Sequence, residues 1–237
     1  MKKDVRLVEL DVLRGWAVFL MILFHICYDL NYFEYVRIDI YQGAFWLYFR
    51  NSIVAIFLLC MGISLSLAHM PHIKWDKLKK RILVLGVASV LVSVTTYLVF
   101  PSAWVYFGIL HFILLATLLG LFFLPYPRFS LIFYFFLFLA YTMDYINMFW
   151  LWESIDTHII TLPQHTVDFV RFIPWFSVVL IGIFMVTYRF HTKILQHNFF
   201  SISLKHNKVL EFLGKHALVI YLIHQPIFFG SLMLLES

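Results

Sequence analysis

The chain has 237 residues, of which 62% are hydrophobic and 13% are charged, and its mean hydropathy is +0.87. Soluble domains are about half apolar and about a quarter charged, so this composition excludes a soluble globular protein and indicates one that resides in a bilayer. The formal net charge of +5 follows from membrane topology and does not indicate nucleic-acid binding.

Seven hydrophobic segments approach the roughly 20 residues that a helix needs to cross the hydrocarbon core. They cover residues 11–30, 45–68, 82–100, 103–123, 129–146, 172–189 and 209–233. The sequence therefore predicts an all-α, polytopic helical membrane protein, with about seven transmembrane helices in one bundle and a single domain over residues 1–237.

Basic residues predict the orientation of this bundle. With the N-terminus in the cytoplasm, 15 of the 18 Lys and Arg residues fall in inner segments, and only Arg37, Arg50 and Arg171 fall outside. The positive-inside rule thus predicts a cytoplasmic N-terminus and an outer C-terminus. The first span carries ionisable residues and lacks a small-residue cleavage site, which favours a retained helix over a signal peptide.

The first span carries the most informative pattern, a stripe of four ionisable residues. Arg14 and His25 are 11 residues apart, which at about 100° per residue is close to three full turns and puts both on one face, roughly 16 Å apart. Asp11 and Asp29 fall on the same face. Ionisable groups inside a membrane are costly unless they are paired or hydrated, so this stripe predicts a functional site. We expect Asp29 to orient the His25 ring.

Two further histidines lie in predicted spans at a depth similar to that of His25. His111 enters from the outside in the fourth span, and His224 rises through the seventh. A lone intramembrane His often makes only an interhelical hydrogen bond, and this reading stays open for both. Pro226, shortly after His224, cannot donate a backbone hydrogen bond and is expected to kink the helix, which favours a cavity beside His224.

Two loops carry charged groups. The outer loop, about 147–171, is long enough for a lid or a substrate rim, or it is an ordinary solvated connection. Its ionisable residues are Glu153, Asp156, His158, His165 and Asp168. In the inner loop, residues 74–81 are strongly basic and end in Lys79, Lys80 and Arg81. This cluster is suited either to anionic headgroups or to the phosphates of a cytosolic ligand.

The stripe resembles the Arg-x10-His signature in the first helix of the transmembrane acyltransferase superfamily, which includes the acyltransferase-3 enzymes. More of the chain is similar to the DUF1624 family, which is related to the catalytic domain of heparan-alpha-glucosaminide N-acetyltransferase. The similar stretches are residues 10–15, 25–33, 57–64, 107–112, 174–184 and 213–226. Because they follow one another in order over nearly the whole chain, the resemblance covers the chain as one domain.

The resemblance implies that an acyl group, usually acetyl, passes from cytosolic acyl-CoA to a sugar-like acceptor across the membrane. The implied donor-binding residues are Asp11, Arg14, Lys79, Lys80 and Arg81, and the implied catalytic residues are His25, Asp29, His111 and His224. His25 would act as general base or form a covalent acyl-His intermediate. His111, Arg50 or Asn51 would stabilise the oxyanion, and no metal is implied.

The chain also departs from the family pattern. Seven spans are fewer than the ten or so of larger acyltransferases, and the stretch 31–43 lacks the histidine that follows the first helix in the heparan enzyme. His25 would have to replace that histidine. The short chain is typical of a bacterial inner-membrane protein, so we expect a cell-envelope or exported glycan as acceptor, with lipids as further partners.

Two other classes of function remain open on the sequence. A small proton-coupled transporter or flippase would use the Asp and His groups as a relay. A haem-b membrane protein would take two axial ligands from His25, His111 and His224. The many aromatic residues, 20% of the chain, would pack on lipid or on a second copy in a homodimer.

Overall fold

The computed structural model describes residues 7–143, 156, 162–163, 165–195 and 207–236, and within these ranges the chain is helical or irregular, with no strand. The helices, in chain order, are α1 (Val8–Tyr32), α2 (Ala44–His69), α3 (Trp75–Val99), α4 (Ile109–Gly120), α5 (Pro127–Thr142), α6 (Phe172–Thr187), α7 (Phe190–Leu195), α8 (Lys208–Lys215) and α9 (Ala217–Glu236). A 3₁₀ turn, Leu121–Phe123, extends α4.

Among the described residues, four helices are long and apolar enough to cross a membrane. They are α1, α2, α3 and the Ala217–Leu235 part of α9. The chain is therefore a helical integral membrane protein, as predicted. The apolar helices in the other three predicted spans are shorter, with 10–17 residues each. Over the described residues the structure thus supports four full-length spans and three shorter apolar helices, and the number seven stays a prediction.

The fourth predicted span, 103–123, is shortened because its first part is not helical. Backbone hydrogen bonds join it to a later segment: the Val167 N–H donates to the Ala103 carbonyl at 3.0 Å, and the Val170 N–H to the Phe107 carbonyl at 3.3 Å. The helix starts only at Ile109. His111 consequently lies in the first turn of α4 rather than deep inside a helix.

The seventh predicted span, 209–233, is divided into two helices. The Asn207 side chain accepts hydrogen bonds from the N–H groups of Val209 and Leu210 and so caps the start of α8. At His216 the backbone leaves the helical region, with φ −107° and ψ 19°, and α9 starts at the next residue. The sequence carries a signal for this division in Gly214, Lys215 and His216, which interrupt the apolar pattern, but a single span over 209–233 was predicted across them.

Contacts divide the chain into two compact units, Met1–Cys60 with His191–Ser237, and Met61–Phe190. In the first unit α1 packs against α8 and α9. Its core contains Val18, Met21, Phe24, Ile40 and Ile53. In the second unit α5 packs on α6, and α4 packs on α3 and α6. The single-domain organisation stays a prediction.

Two glycines allow α1 and α8 to approach closely. A Cβ atom on Gly15 would lie 1.9 Å from the Leu210 carbonyl oxygen, and one on Gly214 would lie 1.8 Å from the Asp11 carbonyl oxygen. Because both obstacles are backbone atoms, no side chain can move aside to make room. The crossing brings the Asp11–Arg14 turn of α1 against the backbone of α8.

Candidate active site

His25 lies two turns before the end of α1, and one of its ring nitrogens is held by the helix itself. Its Nδ1 lies 2.9 Å from the Met21 carbonyl oxygen, one turn earlier. A carbonyl only accepts hydrogen bonds, so Nδ1 carries the hydrogen and the neutral ring keeps its lone pair on Nε2. This is the protonation pattern that a general base requires.

His224 of α9 meets His25 directly. The two ring centroids are 4.7 Å apart with an interplanar angle of 81°, an edge-to-face contact. The His224 Nδ1 lies 2.7 Å from the Tyr221 carbonyl oxygen, so it also carries the hydrogen. Its Nε2 is buried without a hydrogen-bond partner. The structure therefore brings together two of the three histidines that the sequence singled out.

Asp29 pairs with a residue that the sequence analysis did not select. The Gln225 side-chain Nε2 donates to Asp29 Oδ1 at 3.0 Å, and Asp29 is completely buried. The prediction that Asp29 orients His25 was wrong, because the Met21 carbonyl holds that ring while Asp29 faces α9. The one sequence signal that could have identified Gln225 is its position between His224 and Pro226.

Three atoms in this region lack a partner. Asp29 Oδ2, Gln225 Oε1 and His224 Nε2 are all buried and make no hydrogen bond. The carboxylate oxygen of Asp29 and the amide oxygen of Gln225 accept hydrogen bonds, and so does His224 Nε2 in the tautomer described above. Buried polar atoms are satisfied in nearly all native structures, so this cluster is suited to a ligand that brings O–H or N–H donors.

Arg14 and Asp11 form an ion pair at the opposite part of α1. Arg14 Nη1 donates to Asp11 Oδ1 at 2.9 Å and to the Gly214 carbonyl oxygen at 3.3 Å. The Asp11 side chain is 5% exposed and that of Arg14 is 21% exposed. The guanidinium thus lies at the crossing of α1 and α8 and is still accessible to a bound anion.

The histidine pair does not fit a haem. Two rings that bind one iron axially need centroids about 6 Å apart, since each metal–nitrogen bond is about 2 Å long and the iron lies between the rings. The observed separation is 4.7 Å. In the described part of the chain no group of three or more His, Cys, Asp or Glu side chains has a metal-binding arrangement.

His111 belongs to the second unit, where both of its ring nitrogens are used. Nδ1 accepts from the Gly108 N–H at 3.3 Å, and Nε2 lies 3.1 Å from Ser93 Oγ. The Ser93 hydroxyl donates to the Val105 carbonyl, so Nε2 is the donor to Ser93. Asp168 accepts from the Ile109 N–H at 3.0 Å. These contacts hold the start of α4.

The remaining predicted residues lie outside the His25 cluster. Arg50 and Asn51 are exposed on α2, and Lys79 and Lys80 are exposed near the start of α3, with Arg81 half-buried beside them. In the outer loop, Glu153 and His158 fall outside the described residues. Their predicted roles stay predictions.

A polar cavity of about 430 Å³ lies where α1 ends. Its lining consists of Asn31, Glu34, Val36, Arg37, Ile38 and Asp39. Glu34 has a φ of 58°, in the left-handed region that favours glycine. The cavity begins two residues after Asp29, in the stretch where the sequence analysis noted the missing histidine.

Comparisons with known proteins point to one family. Neither the curated proteins nor the solved structures contain a match. The family described as "Heparan-alpha-glucosaminide N-acetyltransferase, catalytic" matches residues 6–226. That range contains Arg14, His25, Asp29 and the His224–Gln225 pair. The chain belongs to the catalytic-domain family of heparan-alpha-glucosaminide N-acetyltransferase, a family of membrane acetyltransferases.

Proposed function

We propose that the protein transfers an acyl group, acetyl in the usual case, from cytosolic acyl-CoA to a hydroxyl or amine of a saccharide acceptor on the other side of a bacterial inner membrane. The observation that carries this proposal is the contact between His25 and His224, whose rings both keep their Nε2 lone pair. Membership of an acetyltransferase family supports the reaction class.

His25 acts as the general base in this scheme. Its Nε2 takes the proton of the acceptor O–H or N–H while the acceptor oxygen or nitrogen attacks the thioester carbon. The carbon–sulfur bond then breaks, and the imidazolium returns the proton to the leaving CoA thiolate. The products are the acylated acceptor and free CoA, and His25 ends neutral. The Met21 carbonyl favours this cycle because it fixes Nδ1 as the protonated nitrogen.

The unpartnered acceptor atoms position the substrate. Asp29 Oδ2, Gln225 Oε1 and His224 Nε2 accept hydrogen bonds from the acceptor and orient its nucleophile. The hydrogen bond between Gln225 and Asp29 keeps two of these atoms in a fixed relation across α1 and α9. A transporter would use the same groups as a proton relay, so donor binding is what distinguishes the two functions.

Arg14 binds the donor. Its guanidinium is held by Asp11 and the Gly214 carbonyl yet stays 21% exposed, which suits a charge-assisted contact with a CoA phosphate. Arg14 and His25 are separated by 11 residues, or roughly 16 Å along the helix. The extended pantetheine arm spans this separation, so the phosphates remain near Arg14 while the thioester reaches His25.

The cavity at the end of α1 admits the acceptor. Asn31, Glu34, Arg37 and Asp39 provide the mixed polar lining that a saccharide needs. In the predicted topology, with a cytoplasmic N-terminus, this end of α1 faces the outside. The donor and the acceptor then approach His25 from opposite ends of one helix.

Calorimetry of acetyl-CoA binding to the detergent-purified protein tests the proposal. We expect micromolar binding to wild type, at least tenfold weaker binding to Arg14→Gln, and nearly unchanged binding to His25→Gln, because the base is needed for turnover. Asp11→Asn removes the ion pair but keeps the guanidinium, so it should weaken binding less than Arg14→Gln does. Absence of binding by correctly folded wild type, with acetyl-CoA and longer acyl-CoAs, would refute the acyltransferase function in favour of a transporter.

A further inference from the structure

The start of α3 carries a dense basic cluster that the proposed reaction does not use. Residues 74–81 contain five Lys or Arg side chains against one carboxylate, Asp76. Trp75, at the first position of α3, is 60% exposed. Such a density of positive charge beside an exposed indole is typical of a segment that contacts phosphate at a membrane surface.

Lys79 and Lys80 continue the exposed stripe of α3. Each is followed four residues later by an exposed apolar side chain, Leu83 and Val84. Five more exposed apolar residues continue the stripe: Val87, Val90, Leu91, Val94 and Leu98. The seven apolar side chains of the stripe are between 44% and 73% exposed. In an integral membrane protein a stripe of this kind faces lipid chains, so both lysines lie on the lipid-facing surface.

The opposite face of α3 is packed. Leu78, Leu85, Ala88 and Ser89 are buried. Arg81 lies three residues after Leu78 and four before Leu85, so it belongs to this packed face. The cluster therefore divides. Lys79 and Lys80 point the same way as the apolar stripe, together with the exposed Asp76 one turn before them, so this face carries two positive charges against one negative charge.

The depth of the two lysines matches the headgroup layer. They precede Leu83 and Val84 by one turn, about 6 Å along the helix. The headgroup layer is about 5–8 Å thick on each side of the hydrocarbon core. Lysine side chains extend readily from such positions to the interface, and Trp75 lies a further turn out, where interfacial aromatic residues concentrate.

We propose that Lys79 and Lys80, with Trp75 beside them, bind the phosphate of an anionic phospholipid headgroup. A soluble polyphosphate would need a cleft that surrounds it, whereas these two side chains lie on the outer face of a helix beside lipid chains. This site is separate from the donor site proposed at Arg14, and it is an alternative to the donor-binding role that the resemblance implies for Lys79 and Lys80. Binding of the headgroup by these lysines would hold the start of α3 in one leaflet of the membrane.

Native mass spectrometry of the full-length protein in a neutral detergent tests the site with phosphatidylglycerol, phosphatidylcholine and inorganic pyrophosphate as probes. Each lysine near an anionic surface contributes about 1 kcal/mol, so the Lys79→Gln/Lys80→Gln variant should bind phosphatidylglycerol about 30-fold more weakly than wild type. Lys79→Arg/Lys80→Arg should retain binding because it keeps both charges. If the double Gln variant is not monodisperse, each single Gln variant should show about a fivefold loss.

The matched control removes the same charge elsewhere. Lys193 and Lys208 are both exposed, and Lys193→Gln/Lys208→Gln should leave phosphatidylglycerol binding within about twofold of wild type. An equal loss in this control would refute the site, since it would show that total charge alone attracts the lipid. The proposal is equally overturned if phosphatidylcholine binds as tightly as phosphatidylglycerol, or if pyrophosphate displaces phosphatidylglycerol from wild type.

Discussion

The His25 ring contacts the His224 ring edge to face, with centroids 4.7 Å apart, although the two residues come from opposite ends of the chain. Each ring donates through Nδ1 to a carbonyl of its own helix, at Met21 and Tyr221 respectively. Each helix thus fixes its histidine in the tautomer with the hydrogen on Nδ1, and each Nε2 points away from the backbone of its own helix. In the proposed reaction one imidazole accepts a proton and the other orients the group that loses it.

Replacement of the two histidines should separate these roles. We expect His25→Gln to lower acyl transfer by about 10²- to 10⁴-fold, the usual contribution of a general base. His224→Gln should lower it less, mainly through a higher KM for the acceptor. Because the rings act together, the double variant should lose little more than His25→Gln alone.

Single-turnover transfer from radiolabelled acetyl-CoA to a membrane extract measures these losses. The matched control is His216→Gln, an exposed histidine whose Nδ1 also bonds a carbonyl one turn earlier, at Phe212. Its transfer rate should equal that of wild type. Strictly additive losses in the double variant would contradict a shared function of the pair.

The Gln225–Asp29 hydrogen bond should contribute to stability. In Gln225→Leu both oxygens of the fully buried Asp29 would lack a partner, which costs about 1–3 kcal/mol. Asp29→Asn keeps Oδ1 as an acceptor for Gln225 and should cost less. Unfolding midpoints in detergent measure both effects, and equal stability of Gln225→Leu and wild type would show that the bond contributes nothing net.

Sequence reasoning predicted the contents of α1 well and its surroundings poorly. The 3.6-residue period suffices to put Arg14 and His25 on one face, because that relation is local to one helix. The His224 contact and the Gln225–Asp29 bond depend on how α9 packs against α1, which no periodicity specifies. Gln225 in particular has no charge, so it lacked the signal of an ionisable group in a membrane.

The fourth predicted span shows a second limit. Hydropathy predicted a helix over 103–123, but α4 starts only at Ile109 because residues 103–107 pair with 167–170 through their backbones. An apolar extended segment and an apolar helix have the same hydropathy. Backbone hydrogen bonding between segments far apart in sequence distinguishes them, and it is not visible in composition.

Glu34 should be a position where a substitution stabilises the protein. Glycine adopts a φ of 58° without strain, whereas a residue with a Cβ atom is destabilised there by about 1 kcal/mol of backbone strain. We therefore expect Glu34→Gly to raise the unfolding midpoint and Glu34→Ala, which keeps a Cβ atom, to leave it unchanged. Both variants remove the carboxylate from the cavity, so both should weaken acceptor binding alike. A midpoint that rises equally in both would exclude backbone strain as the cause.

The close crossing of α1 and α8 predicts that two Gly→Ala substitutions, at Gly214 and at Gly230, have opposite effects on stability and different effects on donor binding. In Gly214→Ala the new methyl group would lie 1.8 Å from the Asp11 carbonyl oxygen, so the helices must separate. Separation removes the Gly214 carbonyl from Arg14, and we expect weaker acetyl-CoA binding together with a loss of several kcal/mol in stability.

Gly230→Ala, in α9 of the same unit, is the control, because the added Cβ atom has no other atom within 4 Å. It should keep donor binding and gain up to about 1 kcal/mol, because alanine favours the helix over glycine. Thermal unfolding and calorimetry on the two variants measure both quantities. If Gly214→Ala bound acetyl-CoA as wild type does despite reduced stability, the contact between Arg14 and α8 would not be part of the donor site.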